Sequence, residues 1–302
     1  MAELAEEIQE HFQYILDIAA NDGPDEEEFD DLTAWFKETL ELKRAGAVSA
    51  EQIRGMWDLC GDAFSLQTIQ GLMVKKPHGY AGDFEIIDRI HTKWLSPLPH
   101  LRQWDVYWHA TAAPKAVRNR VEFFHNILHE LESSAGGNVR VLNVGSGPGR
   151  DLQKYFATCP SSKIIIDCVD MDEKAIAYAQ DLTEGFEHCL NWYCKNIFRF
   201  KTNKRYDLVW SAGVFDYLSD RHFSALLKHL CRLTKPGGQL VVGNFSPLNP
   251  TRFNMELGEW LVNHRDEGQL MELAVAAGLS PEQVRVVSEP LGVNLFLEIQ
   301  VA

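Results

Sequence analysis

The sequence predicts an α/β fold: a doubly wound, Rossmann-like, seven-stranded sheet with an antiparallel C-terminal strand, preceded by a helical N-terminal domain. Three observations predict it. Helical periodicity fills residues 1–135. After Gly137, short β-rich runs alternate with helical ones, as in a parallel sheet. Near the C-terminus two strand-like runs flank Pro290-Leu291-Gly292 and suggest an antiparallel edge. The expected division is a helical cap or lid over 1–135 and a core domain over 136–302.

In order along the chain, Leu4, Ile8, Phe12, Ile15 and Leu16 recur at three- and four-residue spacing, one face of a helix. Asn21-Asp22-Gly23-Pro24 breaks it. Phe29, Leu32, Trp35, Phe36 and Leu40 repeat the pattern. Ser49 with Gln52 fits a capping box that opens a third helix. Lys75 to Asp83 is irregular and rich in breakers. A further helix spans Val121 to Leu131 and ends at Gly136-Gly137. Strands are then expected at 139–144, 163–169, 191–194, 206–211, 239–244, 284–288 and 294–301. Helices are expected at 152–156, 173–182, 220–234 and 267–277.

Composition excludes several classes. The 302 residues hold 43 acidic and 29 basic side chains, a formal net charge of −14. Phosphate contacts need clustered Lys and Arg, so no nucleic-acid partner is expected. The first basic residue is Lys37, which leaves no transit peptide or charged secretory leader. No apolar run reaches the roughly 18 residues of a membrane span. Cys60, Cys159, Cys168, Cys189, Cys194 and Cys231 contain no C-x-x-C pair. They read as reduced thiols of a cytoplasmic protein. No metal-ligand spacing occurs, so no metal is expected.

The informative chemistry lies at the first strand, Val139 to Val144. It runs into Gly145-Ser146-Gly147-Pro148-Gly149 and a helix. Such glycines let a backbone approach a ligand beside a helix N-terminus. The spacing is G-x-G-x-G, since Arg150 stands where the dinucleotide fingerprint has glycine. The second strand ends at Asp170, where a carboxylate can grip a ribose diol.

The order and spacing of three segments carry a family resemblance over residues 139–246. Val141 to Gly149 resembles motif I of the class I S-adenosylmethionine (SAM) dependent methyltransferases. Tyr206 to Leu218 resembles motif IV. Leu233 to Val242 resembles the turn into the family's fifth strand. The resemblance implies SAM as cofactor and a SAM-binding methyltransferase core over 136–302. It implies that Gly145, Ser146, Gly147 and Gly149 pack on the methionine part. Asp170 would hold the ribose, Met171 would lie on the adenine, and Asn196 and Ile197 would meet the adenine edge. Ser211, Ala212 and Gly213 would line the methyl-donor end. Two positions depart from the family pattern. Asn143 replaces the motif I Asp, which removes a carboxylate near the SAM ammonium. Asn196 replaces the acid after the third strand. The segments Lys76 to Glu85, Ala113 to Arg120 and Pro290 to Leu297 resemble a narrower bacterial subgroup, that of 3-hydroxypalmitic acid methyl ester biosynthesis.

Further candidates lie around this core. Arg118 and Arg120 are two apart and cannot share a helix face. Arg118 is the candidate for the SAM carboxylate through a bidentate bond. Tyr80, Tyr217 and His264, the last on an expected helix, are candidate catalytic groups. Tyr107, Trp108, Asn244 and Arg252 are candidate substrate contacts. The expected activity is metal-independent methyl transfer to a small molecule, a carboxylate or an amino-acid-like metabolite. The alternatives are a catalytically silent SAM-binding scaffold and a protein or nucleic-acid methyltransferase of the same fold. The G-x-G-x-G spacing disfavours an NAD-dependent dehydrogenase. The N-terminal helices stay open as a lid, a homo-oligomer surface or a partner site.

Overall fold

A computed structural model describes residues 6–134 and 137–302. Leu4 and Gly136, used above, lie outside them. Six helices come first: α1 (Glu6–Ala20), α2 (Phe29–Arg44), α3 (Ala50–Leu59), α4 (Ile69–Lys75), α5 (Phe84–Thr92) and α6 (Arg102–Ala110). A long α7 (Ala112–Ser134) follows. Then come β1 (Arg140–Val144), α8 (Arg150–Thr158), β2 (Ile165–Asp170), α9 (Glu173–Leu182), β3 (Leu190–Cys194), β4 (Tyr206–Ser211), α10 (Asp220–Cys231) and β5 (Thr234–Phe245). The chain closes with α11 (Arg252–Leu257), α12 (Glu267–Ala276), β6 (Val284–Ser288) and β7 (Asn294–Gln300).

The chain forms two compact units, Met1–Lys115 with Pro250–Leu261, and Ala116–Asn249 with Val262–Ala302. This differs from a division at residue 135 in two places, each for a packing reason. Phe124, Ile127 and Leu128 of α7 are buried against Val141, Cys168 and Trp210 of the sheet. Leu257 of α11 instead joins Trp35, Phe36 and Trp57.

In the first unit the caps and breakers act locally. Ser49 Oγ accepts from Gln52 N (3.1 Å), and Gln52 Oε1 accepts from Ser49 N (2.8 Å), closing the expected capping box. Asp83 caps α5 by accepting from the backbone of Glu85 and Ile86 (both 3.0 Å). The core is aromatic: Phe64 stacks on Trp57 with centroids 4.1 Å apart.

The second unit is a seven-stranded sheet in the order β3-β2-β1-β4-β5-β7-β6. Strands β1 to β5 pair in parallel, and β7 pairs antiparallel with both neighbours. The antiparallel strand is therefore internal, and β6 forms the edge. The burial along each explains this. Leu297 and Ile299 of β7 are buried, whereas β6 has no buried residue. Helices α7 and α8 cover one face of the sheet, and α10 and α12 the other. The expected turn at 235–238 is absorbed into β5, whose register with β4 shifts between Tyr206 and Leu208. The order of strands reverses between β1 and β4. Open α/β sheets bind ligands at the strand C-termini of such a switch point.

Candidate functional site

The site is built on the C-terminal ends of β1, β2 and β4. Ser211 Oγ donates to the Val144 carbonyl (3.0 Å), which ties β4 to β1 at the switch point. Gly145 N donates to the Val169 carbonyl (2.8 Å) and turns the chain away from β1. Gly145 has φ +66°, and a Cβ there would overlap Val214 Cγ2. Gly149, at φ +68°, starts α8, and a Cβ would lie 3.1 Å from Ala179 Cβ and 3.2 Å from Trp192 Cη2. Both positions need glycine for conformation and for space.

Asp170 shapes the loop from the other side. Its Oδ2 accepts from Gly147 N (2.9 Å), and its Oδ1 accepts from Asp172 N (3.0 Å). Burial raises its pKa, and these two N–H groups act against that rise. With about four lone-pair sites, the carboxylate keeps acceptor capacity for a ligand hydroxyl. Next to it, Met171 is 73% exposed, an unusual setting for an apolar side chain on a short turn. Asn196 Oδ1 accepts from Phe198 N (2.9 Å), so that amide also caps a helical turn. Ile197 is buried in the sheet core with Val169 and Phe200. On the adjoining turn Phe198 is exposed, an aromatic group the sequence reading passed over.

Buried polar atoms without a partner mark the loop's interior. Asn143 Nδ2 and Ser146 Oγ are both buried with no hydrogen-bond partner in the protein. Such atoms are rare in a folded chain. They lie at the two sides of Gly145, where a methionine moiety would sit, and a ligand with donors and acceptors would satisfy both. The glycine loop, the Asp170 carboxylate and these two orphaned groups fit SAM.

Arg120 is buried beside the end of β4. Its Nη1 donates to the Ala212 carbonyl (2.6 Å), and its guanidinium lies 5.6 Å from the centre of the Phe245 ring. Arg118, two residues earlier, is half-buried. The difference is helical phase, which the sequence alone left open. Below Arg120, Asp216 is buried and accepts from Phe245 N (2.6 Å). Burial pushes its carboxyl up to about 6, against the pull of Arg120 and Arg265. Arg265 donates to the carbonyls of Phe215 (3.2 Å) and Leu218 (2.5 Å), to Asn244 Oδ1 (2.9 Å) and to Asp220 Oδ1 (2.9 Å). It clamps the loop after β4 to the end of β5.

The other candidates fall as follows. Tyr217 is 43% exposed on that clamped loop. His264 lies in the irregular segment 260–266 rather than on a helix, with Nε2 3.3 Å from Asn249 Nδ2. Asn244 is buried, and its amide is bonded within the protein. Its Nδ2 donates to the Phe245 and Asn263 carbonyls (both 2.8 Å), and Arg265 takes its oxygen. Tyr80, Tyr107, Trp108 and Arg252 belong to the first unit. Tyr80 is exposed on the loop before α5. Tyr107 and Trp108 are core residues. The Tyr107 hydroxyl bonds Thr33 Oγ1 (3.1 Å) and Asn254 Nδ2 (2.8 Å). Arg252 stacks over Phe253 at 4.8 Å. Arg120, Asp216 and Arg265 are the residues sequence reasoning missed or passed over. Only the family-like spacing of 206–218 hinted at the loop they hold.

Residues 141–238 match the family model described as "Methyltransferase domain". The chain is 30% identical over 144 residues to malonyl-[acyl-carrier protein] O-methyltransferase 1 of Ilyobacter polytropus. That match covers 47% of this chain and 51% of the relative. It is 28% identical to N-terminal Xaa-Pro-Lys N-methyltransferase 1 of Xenopus tropicalis, over 40% of this chain and 54% of that protein. The chain thus spans about half the length of these curated relatives. A crystal structure described as a possible exported protein from Bordetella parapertussis superposes with a TM-score of 0.61 at 17% identity. It covers 85% of this chain and 98% of its own, a likeness of fold.

Proposed function

Residues 141–238 form a class I SAM-dependent methyltransferase domain, and from that premise we propose that the protein methylates a small molecule carrying a carboxylate. The observation that carries the methyltransferase part of this reading is the β1–α8 loop with the ends of β1 and β2. Its glycines, Asp170 and the two unpartnered polar groups make a cradle for SAM. The bound sulfonium supplies an activated methyl group.

The chain's residues orient and enclose. Asp170 holds the ribose while keeping the glycine loop in register. Met171 and Phe198 cover the adenine with apolar surface. Arg120 fixes the Ala212 carbonyl at the methyl-donor end, and Arg265 fixes the loop that carries Tyr217. Such fixed geometry is how a methyl transfer gains rate without further chemistry from the protein. A carboxylate acceptor is ionised at neutral pH and needs no general base. This agrees with a malonyl O-methyltransferase among the relatives, because a malonyl group ends in a carboxylate. Tyr217 and His264 then orient the acceptor rather than deprotonate it.

The test is isothermal titration with S-adenosylhomocysteine, with NAD as the control, on the native chain and on Asp170→Ala. Micromolar binding that collapses in the variant is expected. Binding of NAD alone, or of neither ligand, overturns the reading. Methyl transfer is then screened over small carboxylates and amines, with an Xaa-Pro-Lys peptide as the arm for a protein acceptor. Transfer to the peptide alone would replace the small-molecule assignment.

A further inference from the structure

SAM ends in an amino acid, with an ammonium and a carboxylate. Moving an ammonium out of water is costly unless an opposite charge receives it. The end of β1 offers none of its own, because Asn143 is neutral. The register places Asn143 opposite Cys168 of β2 and Trp210 of β4. Partners in a parallel register share a face, so these three side chains stand in a row. Cys168 and Trp210 share a core with Phe124 and Leu128 of α7 and Leu152 and Tyr155 of α8. The row is therefore on the face that α7 and α8 cover.

Asp151 stands in the first turn of α8, two residues after Gly149, on a helix that packs on that face. Its carbonyl accepts from His125 Nε2 (2.8 Å), which fixes this turn to α7. The carboxylate Oδ1 accepts from its neighbour's backbone, Leu152 N (3.0 Å). Asp151 is the foremost of the carboxylates that raise the Cys168 thiol, after burial itself, ahead of Asp167 and Asp170. It also acts on the guanidinium of Arg120. The first turn of α8 thus brings a carboxylate to the same face of the sheet as the orphaned Asn143 Nδ2.

Resting on the SAM reading above, we infer that Asp151 supplies the charge Asn143 lacks and binds the ammonium of the cofactor's amino acid. The negative group has moved from the strand end to the first turn of the following helix. Asn143 Nδ2 and Ser146 Oγ then face the same amino acid from below.

The experiment compares two ligands by isothermal titration. S-adenosylhomocysteine carries the amino acid. 5′-Methylthioadenosine keeps the nucleoside and the thioether and lacks the amino acid. Asp151→Asn is expected to weaken S-adenosylhomocysteine about 10- to 100-fold, the loss of one charged hydrogen bond. Binding of 5′-methylthioadenosine should stay within about twofold. Adding Asn143→Asp to that variant should recover most of the loss. Unchanged S-adenosylhomocysteine binding in Asp151→Asn overturns the inference, and so does equal weakening of both ligands. Asn143→Asp alone keeps the test open should Asp151→Asn fold poorly. With Asp151 already in place it should change S-adenosylhomocysteine affinity less than about threefold, and tightening of about tenfold or more would show the ammonium site had no carboxylate. Failure of the native chain to bind either ligand would instead sink the SAM reading itself.

Discussion

At the scale of single residues, the site depends on backbone positions where a side chain cannot fit. Gly145 combines φ +66° with contact to Val214. Gly145→Ala therefore adds a steric overlap to a left-handed backbone, and Val214 is β-branched and slow to yield. The variant is expected to lose S-adenosylhomocysteine affinity by about tenfold or more, at a stability cost of about 1–2 kcal/mol. Gly145→Ala with Val214→Ala should regain part of both, because the overlap goes and the backbone strain stays. Full recovery, measured by titration and by thermal melting, would show that strain at Gly145 is unimportant. These glycines are legible in a sequence because a turn is a local property. Arg120 is not legible in the same way. Seeing that it is buried requires knowing which face of α7 meets the sheet. That phase is set by Phe124 and Leu128, residues further along the helix.

At the scale of elements, buried carboxylates hold helix starts in place. Asp105 of α6 is fully buried and accepts from Ile69 N at the start of α4 (2.8 Å) and from Ser96 N (2.7 Å). Burial pushes its carboxyl up to about 6, from an ordinary value of 3.8. The folded state therefore binds a proton more tightly than the unfolded chain does. This group's contribution to stability is fully present below pH 3.8 and is lost as pH rises through about 6. Asp105→Asn removes that dependence. It also turns an amide N–H toward one of the two backbone donors, leaving it unsatisfied at a cost of about 1–3 kcal/mol. Denaturant melts from pH 4 to pH 7 should show a lower and flatter curve for the variant over this group's range. A parallel curve would mean Asp105 does not titrate there. The sequence reading located the core strands and α9 to within a few residues. It did not register α4, α5, α6 and α11. Such short helices carry few turns to show a period, and their ends here are set by Asp83 and by tertiary contacts, whereas the equally short α8 is announced by the glycine loop before it.

At the scale of the whole molecule, the chain builds two cores that share no residue. One is the aromatic cluster of Trp35, Trp57, Phe64 and Trp104, and the other is the sheet with its flanking helices. Helix α11 belongs to the first although it follows β5 in the chain. A linear reading assigns it to the loop after β5, because adjacency in sequence hides a return to an earlier unit. The two cores predict separable unfolding. The proposed cofactor contacts all lie in the sheet unit, so a saturating cofactor product should stabilise that unit alone. S-adenosylhomocysteine at a hundredfold over its dissociation constant contributes about 2.7 kcal/mol. For a unit of this size that raises the transition by about 5–10 °C. Tyr107→Phe acts on the other unit. It leaves Thr33 Oγ1 and Asn254 Nδ2 without the shared hydroxyl, which costs about 1–3 kcal/mol. Calorimetry of the full chain should then show one transition that moves up with S-adenosylhomocysteine and another that moves down in Tyr107→Phe. Each should be insensitive to the other change. A single transition that responds to both would mean that the two cores fold as one cooperative structure, and that ligand binding at the sheet is paid out across the helical unit as well.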